Sequence, residues 1–183
     1  MELTGNYVAS QVFTILTYVL LAITYYAKNR KTVLVISFLS IIANAVAYIL
    51  LNAYTGLAMC VVALIRNIYF MVDEQKNGKN DEIKKKDIVA LIIIYGMIAI
   101  STVFTYEGFL SLLSVFATML YTYSVWQKKT LVYKLCGIPV GVLWILYNLY
   151  VKSVFGVILE AILLVSSIIG FGIERKGMKK EVT

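Results

Sequence analysis

The sequence contains no histidine, one proline and two cysteines, and only 15% of its 183 residues are charged. Without histidine there is no imidazole base and no histidine-ligated metal. Cys60 and Cys136 both lie in apolar runs, so they read as small packing residues rather than a disulfide or zinc site. Hydrophobic residues make up 61% of the chain, and mean hydropathy is +0.83. Soluble domains average about 45–50% apolar and about 25% charged residues. A chain of this length leaves too much surface facing water to hide that excess in one core. These shortages exclude a soluble globular enzyme, a disordered region and a nucleic-acid-binding domain.

What is present is a series of long apolar runs. A helix needs about 20 mostly apolar residues to cross the hydrocarbon core. Seven runs qualify: Asn6–Tyr26, Thr32–Leu51, Tyr54–Val72, Asp87–Thr105, Phe109–Trp126, Leu131–Tyr150 and Ser153–Ile173. They are continuously apolar, not alternating, which favours helices over outer-membrane strands. The first run is expected to belong to the fold and not to a cleaved signal peptide, because only Glu2 and no basic residue precedes it. The expected fold is an all-α membrane protein of seven transmembrane helices.

The net charge of +7 is a topology signal. Lys28, Arg30 and Lys31 follow the first run, and Lys76, Lys79 and Lys84–Lys86 follow the third. Lys128 and Lys129 follow the fifth, and Arg175, Lys176, Lys179 and Lys180 the seventh. With seven crossings all of these fall on one side, and only Lys152 falls on the other. The positive-inside rule then places the N-terminus outside and the C-terminus in the cytoplasm. The expected location is the cytoplasmic (inner) membrane, crossed several times. The polar stretch Asp73–Lys86, with Glu74, Asp81 and Glu82 among its lysines, reads as a solvated cytoplasmic linker.

The two sides of that linker resemble each other. Thr24-Tyr25-Tyr26 and Lys31-Thr32 match Tyr121-Thr122-Tyr123 and Lys129-Thr130. Tyr48–Asn52 matches Trp144–Asn148, and Gly56 matches Gly156. The shared order suggests a repeat. A three-helix unit crosses an odd number of times, so one added helix restores its orientation in a second copy. The fourth run, nearly devoid of polar atoms, would be that connector. The expected organisation is 3+1+3 in parallel repeats, an arrangement that transporters use with solute held near the midplane. It divides the chain into a first unit (1–73), a linker (74–86), a connector helix (87–106), a second unit (107–174) and a cytoplasmic tail (175–183).

On its size, its 3+1+3 pattern, the Tyr48–Asn52 ending and the Arg66-Asn67 pair, the chain resembles the bacterial YgjV-type inner membrane proteins. These are similar in turn to the SWEET, PQ-loop and PnuC superfamily of small-solute transporters. The resemblance covers nearly the whole chain and implies a transport role. The sequence departs from the PQ-loop pattern in having no Pro-Gln pair and in carrying its one proline, Pro139, in the sixth run.

Candidate site residues follow from helical spacing. Gly137, Gly141, Trp144 and Asn148 share one face. The glycines permit close helix approach. An indole stacks on planar rings, and a carboxamide both donates and accepts hydrogen bonds. Asn44, Tyr48 and Asn52 extend the expected substrate face on the second run. Arg66 and Glu160 are charges inside expected spans, where burial costs roughly 2.5–3.5 kcal/mol or more, so they are expected to face the interior. Their axial offset is about five residues, roughly 7 Å, which a long arginine could nearly span, and whether the two pair is left open. With Asn67 they are assigned to gating or charge selectivity. Ser10, Thr14 and Thr17, like Ser114, Thr118 and Tyr121, form polar stripes suited to interhelical bonding.

There is no phosphate-cradling loop, no pair of carboxylates and no nucleophile–base pair. No enzyme activity, cofactor or metal is therefore expected. The expected function is passage of a small polar solute by alternating access, with a lean towards a vitamin precursor or nucleoside-like molecule. The alternative is a non-transporting membrane interaction or regulatory protein. The expected partners are that solute and the lipid bilayer, with no nucleic acid; a homo-oligomer is left open.

Overall fold

A computed structural model describes residues 5–52, 54–77, 83–106, 108–150 and 153–181. Lys79, Asp81, Glu82, Lys152 and the linker's centre lie outside the described residues. Among the described residues the chain is all-helical. It contains α1 (Gly5–Thr24), α2 (Arg30–Leu50), α3 (Tyr54–Asn77), α4 (Lys85–Thr105), α5 (Leu112–Trp126), α6 (Thr130–Tyr150) and α7 (Val154–Glu181), with a short 3-10 turn, Phe109–Ser111, leading into α5. Five of these, α1, α2, α4, α6 and α7, are long and apolar enough to cross a membrane. Helix α5 is apolar but shorter.

The helices coincide with the apolar runs except at two ends. The stretch from Asp73 to Asn77, expected to be linker, continues α3, with Asn77 Nδ2 bonding back to Asp73 Oδ1 at 2.9 Å. The tail beyond Ile173 continues α7 to Glu181. No proline interrupts either segment, and basic residues near a helix C-terminus complement the macrodipole.

Contacts run along the chain: α1 packs on α2, α2 on α3, α5 on α6 and α6 on α7. Helix α4 lies chiefly against α5 at the periphery, and α1 meets α7. The turns between neighbours are short, so α1, α3, α5 and α7 all finish at one end of the bundle, here called the basic end. At the opposite end Asn52 adopts a left-handed backbone (φ 53°) just after α2. Asparagine tolerates that conformation because its short polar side chain bonds locally.

The boundaries carry a regular offset. Helix α2 spans Arg30–Leu50 and α6 spans Thr130–Tyr150, while α3 opens at Tyr54 and α7 at Val154, a shift of 100 residues throughout. Two tethers recur at the same shift. Asn67 Nδ2 on α3 donates to Leu34 O on α2 at 3.0 Å, and Ser167 Oγ on α7 donates to Lys134 O on α6 at 2.6 Å. At the basic end Arg30 binds Glu74 at 2.8 Å, and Thr130 binds Glu174.

Candidate functional site

Several hydrogen bonds join the α1–α3 group to the α5–α7 group beside a shared apolar cluster that includes Leu34, Phe70, Val125 and Leu163. Tyr18 of α1 donates to Glu160 Oε1 of α7 at 3.0 Å. One turn and a half nearer the basic end, the Thr24 and Tyr133 hydroxyls meet at 2.6 Å. Tyr25 stacks on Tyr133 with ring centroids 5.3 Å apart. Tyr121 stands edge-on to Tyr133, and its hydroxyl is 3.4 Å from Ser37. Arg66 of α3 donates to Thr122 at 2.9 Å, and its guanidinium sits 5.2 Å above the Tyr121 ring. Its Nε has no partner among the described residues.

Glycines admit this aromatic cluster. A Cβ on Gly137 would collide with the Tyr25 ring and Ser167 Oγ, and one on Gly170 would collide with the Tyr25 backbone carbonyl. Any larger residue at either place would push α1 away from α6 and α7.

Arg66 and Glu160 are both buried, as their cost in a membrane demands. They take separate partners, Thr122 and Tyr18, and no ion pair joins them among the described residues. Two different interhelical hydroxyls lie closer to the charges than the charges lie to each other. Asn67 is fully buried on its tether to Leu34.

The expected substrate face divides. Trp144 is half-buried and packs edge-to-face on Tyr147. Asn148 bonds to its own helix at Trp144 O, and its amide fills the space beside Gly156 at the start of α7. Asn44 and Tyr48 are half-buried and interact with each other, and Asn44 also interacts with Cys60. Asn52 stands apart, exposed in the turn after α2. Of the two hydroxyl stripes, Thr14, Thr17 and Thr118 bond to carbonyls one turn back. Thr17 also reaches Ser40 O on α2 at 3.3 Å.

Residues not singled out from the sequence dominate the basic end. Arg30 is nearly buried, pairs with Glu74, and donates to the carbonyls of Val125 and Trp126 at the end of α5, at 3.2–3.3 Å. Asp73 binds Lys86 at 2.8 Å, and Lys128 lies 3.8 Å from both Asp73 and Asp87. Burial pushes the Asp73 carboxyl up, but hydrogen bonds from Lys86 and Asn77 outweigh it and hold it below the ordinary carboxylate range. The same bond to Asp73 raises the Lys86 ammonium. Trp126 Nε1 donates to Asp87 O, fastening α4 to α5. Lys134, a charge inside α6 overlooked by the spacing argument, pairs with Glu174. Its signal was visible: a lone cation one turn into an apolar run.

Two small pockets lie at the basic end, each with room for about one water. Neither includes Asn44, Tyr48, Trp144 or Asn148. No cluster of metal-ligating residues occurs among the described residues.

A family model described as a bacterial inner membrane protein, Imp-YgjV, matches residues 8–176. The chain belongs to the Imp-YgjV family. That membership, with the apolar helices, makes it a membrane protein of the bacterial inner membrane type. No curated protein and no solved structure matches the chain. In this Imp-YgjV protein the site is therefore read from its own geometry.

Proposed function

We propose that the protein passes a small polar solute across the inner membrane by alternating access between α1–α3 and α5–α7. In this reading all seven helices cross the membrane, N-terminus outside and C-terminus inside, as parallel 3+1+3 repeats related to the SWEET, PQ-loop and PnuC superfamily. The 100-residue offset of boundaries and tethers supports the repeat, and the peripheral place of α4 suits a connector. The observation that carries the reading is the polar interface. Tyr18–Glu160, Thr24–Tyr133, Ser37–Tyr121 and Arg66–Thr122 each join one group to the other through one or two hydroxyls. Interhelical hydrogen bonds in membranes average only about 0.6 kcal/mol, so such contacts can be exchanged for others at small cost.

The basic end is closed by Arg30 and its carbonyl partners, whereas half-buried Asn44, Tyr48, Trp144 and Asn148 lie towards the opposite end. In this reading the carrier is shut on the cytoplasmic side, and those residues contact solute as it enters. Arg66, Asn67 and Glu160 set charge preference and hold the gate. Catalysis and cofactors play no part. One observation favours the alternative, a non-transporting interaction or regulatory protein: the two pockets described at the basic end are small and are not lined by these residues.

Uptake into proteoliposomes of a panel of labelled nucleosides, vitamin precursors and sugars tests the proposal. Time-dependent accumulation lost in Trp144→Ala is the expected result. Retention no greater than in protein-free vesicles across the panel, with correctly folded protein, would favour the alternative.

A further inference from the structure

Among the described residues Glu160 has no counter-charge. It is 6% exposed on α7, and its only hydrogen bond among the described residues is the one from Tyr18. The described groups facing it are aromatic: Tyr18 and, farther off, Tyr25 from α1, with Tyr48 of α2 next to Tyr18. The cation of α6, Lys134, is committed to Glu174, and Arg66 is committed to Thr122 and Tyr121. Glu160 lies six residues into α7, and Trp144 lies six residues from the far end of α6, so carboxylate and indole stand at one level of the bundle.

A carboxylate at that depth is expensive unless something positive joins it. Tyrosine and tryptophan faces attract cations, most strongly where water is excluded. We infer that Glu160 is the binding group for a positively charged organic solute, an amine or ring cation that supplies the missing counter-charge beside Tyr18, with Trp144 at the same level. The inference rests on the transport reading for the route by which solute reaches this depth. It narrows the solute from small and polar to small, polar and cationic.

The test compares two probes of equal shape, benzylamine, which is cationic at neutral pH, and benzyl alcohol, which is neutral. Purified full-length protein is heated in detergent with each. Benzylamine should raise the unfolding midpoint in a saturable way, benzyl alcohol should not, and Glu160→Gln should remove the difference. Glu160→Gln itself should fold at least as well as the native chain, because it deletes an unpaired charge. If that variant fails to fold, Glu160→Asp serves instead: it keeps the charge but draws it back by one methylene, and should reduce the benzylamine shift while leaving benzyl alcohol without effect. Equal shifts from both probes in the native chain, or a benzylamine shift undiminished in Glu160→Gln, would overturn the inference. A proton as sole counter-charge predicts such equality. Benzylamine binding without any solute flux would sink the transport reading and leave the site standing. Flux of a neutral solute with no charge preference would do the reverse.

Discussion

The α2–α3 pair and the α6–α7 pair solve the same packing problem with different chemistry. Both open at positions 100 residues apart, and both tie the start of one helix to the end of the next through a glutamate, Glu74 in one and Glu174 in the other. In the first pair a single buried cation, Arg30, does this and also holds the end of α5. In the second the work is shared between Thr130 and Lys134. Position 70 is a fully buried phenylalanine under the Arg30 guanidinium, while position 170 is a glycine pressed against the Tyr25 carbonyl. Position 73 is an aspartate with three basic or amide neighbours, while position 173 is an isoleucine. Both pairs use a charge between their own helices, but towards its neighbours the first reaches with charge and the second, at Gly170, with close backbone approach to Tyr25.

The largest effect should come from Arg30→Ala. It strands Glu74 and two carbonyls, and breaking a buried pair costs about 3–5 kcal/mol. Thr130→Ala should cost only about 1 kcal/mol, because Lys134 still holds Glu174. Unfolding midpoints in detergent check both, and equal losses would break the comparison.

Next is Gly170→Ala. Forcing a methyl against the Tyr25 carbonyl should cost about 1–3 kcal/mol, whereas Phe70→Leu, which keeps most of the packing volume, should cost less than about 1.5 kcal/mol. The same melting experiment reads both variants. An alanine accepted at position 170 without loss would mean that α1 and α7 do not approach as closely as described.

Smaller still are the two recurring tethers. Asn67→Ala and Ser167→Ala should each cost about 0.5–1.5 kcal/mol. If they are counterparts, their costs should agree within about 0.5 kcal/mol, which sharpens the 100-residue correspondence.

The smallest effect is with pH. The folded Asp73 carboxyl lies below its ordinary value, so its contribution to stability is present above about pH 4 and is lost as pH falls through the lowered value. Lys86 works in the opposite sense: its ammonium is raised, so its contribution fades only as pH climbs through that raised value. Hydrogen exchange at the end of α3 should quicken below about pH 4 in the native chain and show no such step in Asp73→Asn. The end of α7, with Ile173 at the matching position, should lack the step.

The helices themselves were legible because each is a long apolar run bounded by charge. The register between the halves was less so. Tyr48–Asn52 was matched with Trp144–Asn148, a shift of 96, whereas the helix boundaries differ by 100. The discrepancy is one helical turn. Residues four apart share a face, so an apolar helix matched one turn out of step still aligns polar with polar. At the 100-residue offset of the helix boundaries, position 44 falls against 144 and position 48 against 148. Whether Arg66 and Glu160 pair was not legible for a related reason. Axial distance was readable from rise per residue, but not which neighbour would offer a hydroxyl first.

By itself the sequence determined the solvent and the elements. Hydropathy runs of membrane-spanning length, and polar groups confined to short gaps, leave the backbone no choice but helix. Only the tertiary structure decided which charges meet. Arg30, read as one of many basic loop residues, became a buried clamp, and Glu160, whose pairing with Arg66 the sequence left open, took a tyrosine hydroxyl. Burial of an apolar face depends on composition summed over a whole helix, whereas a hydrogen bond depends on a few tenths of an ångström between two side chains far apart in the chain.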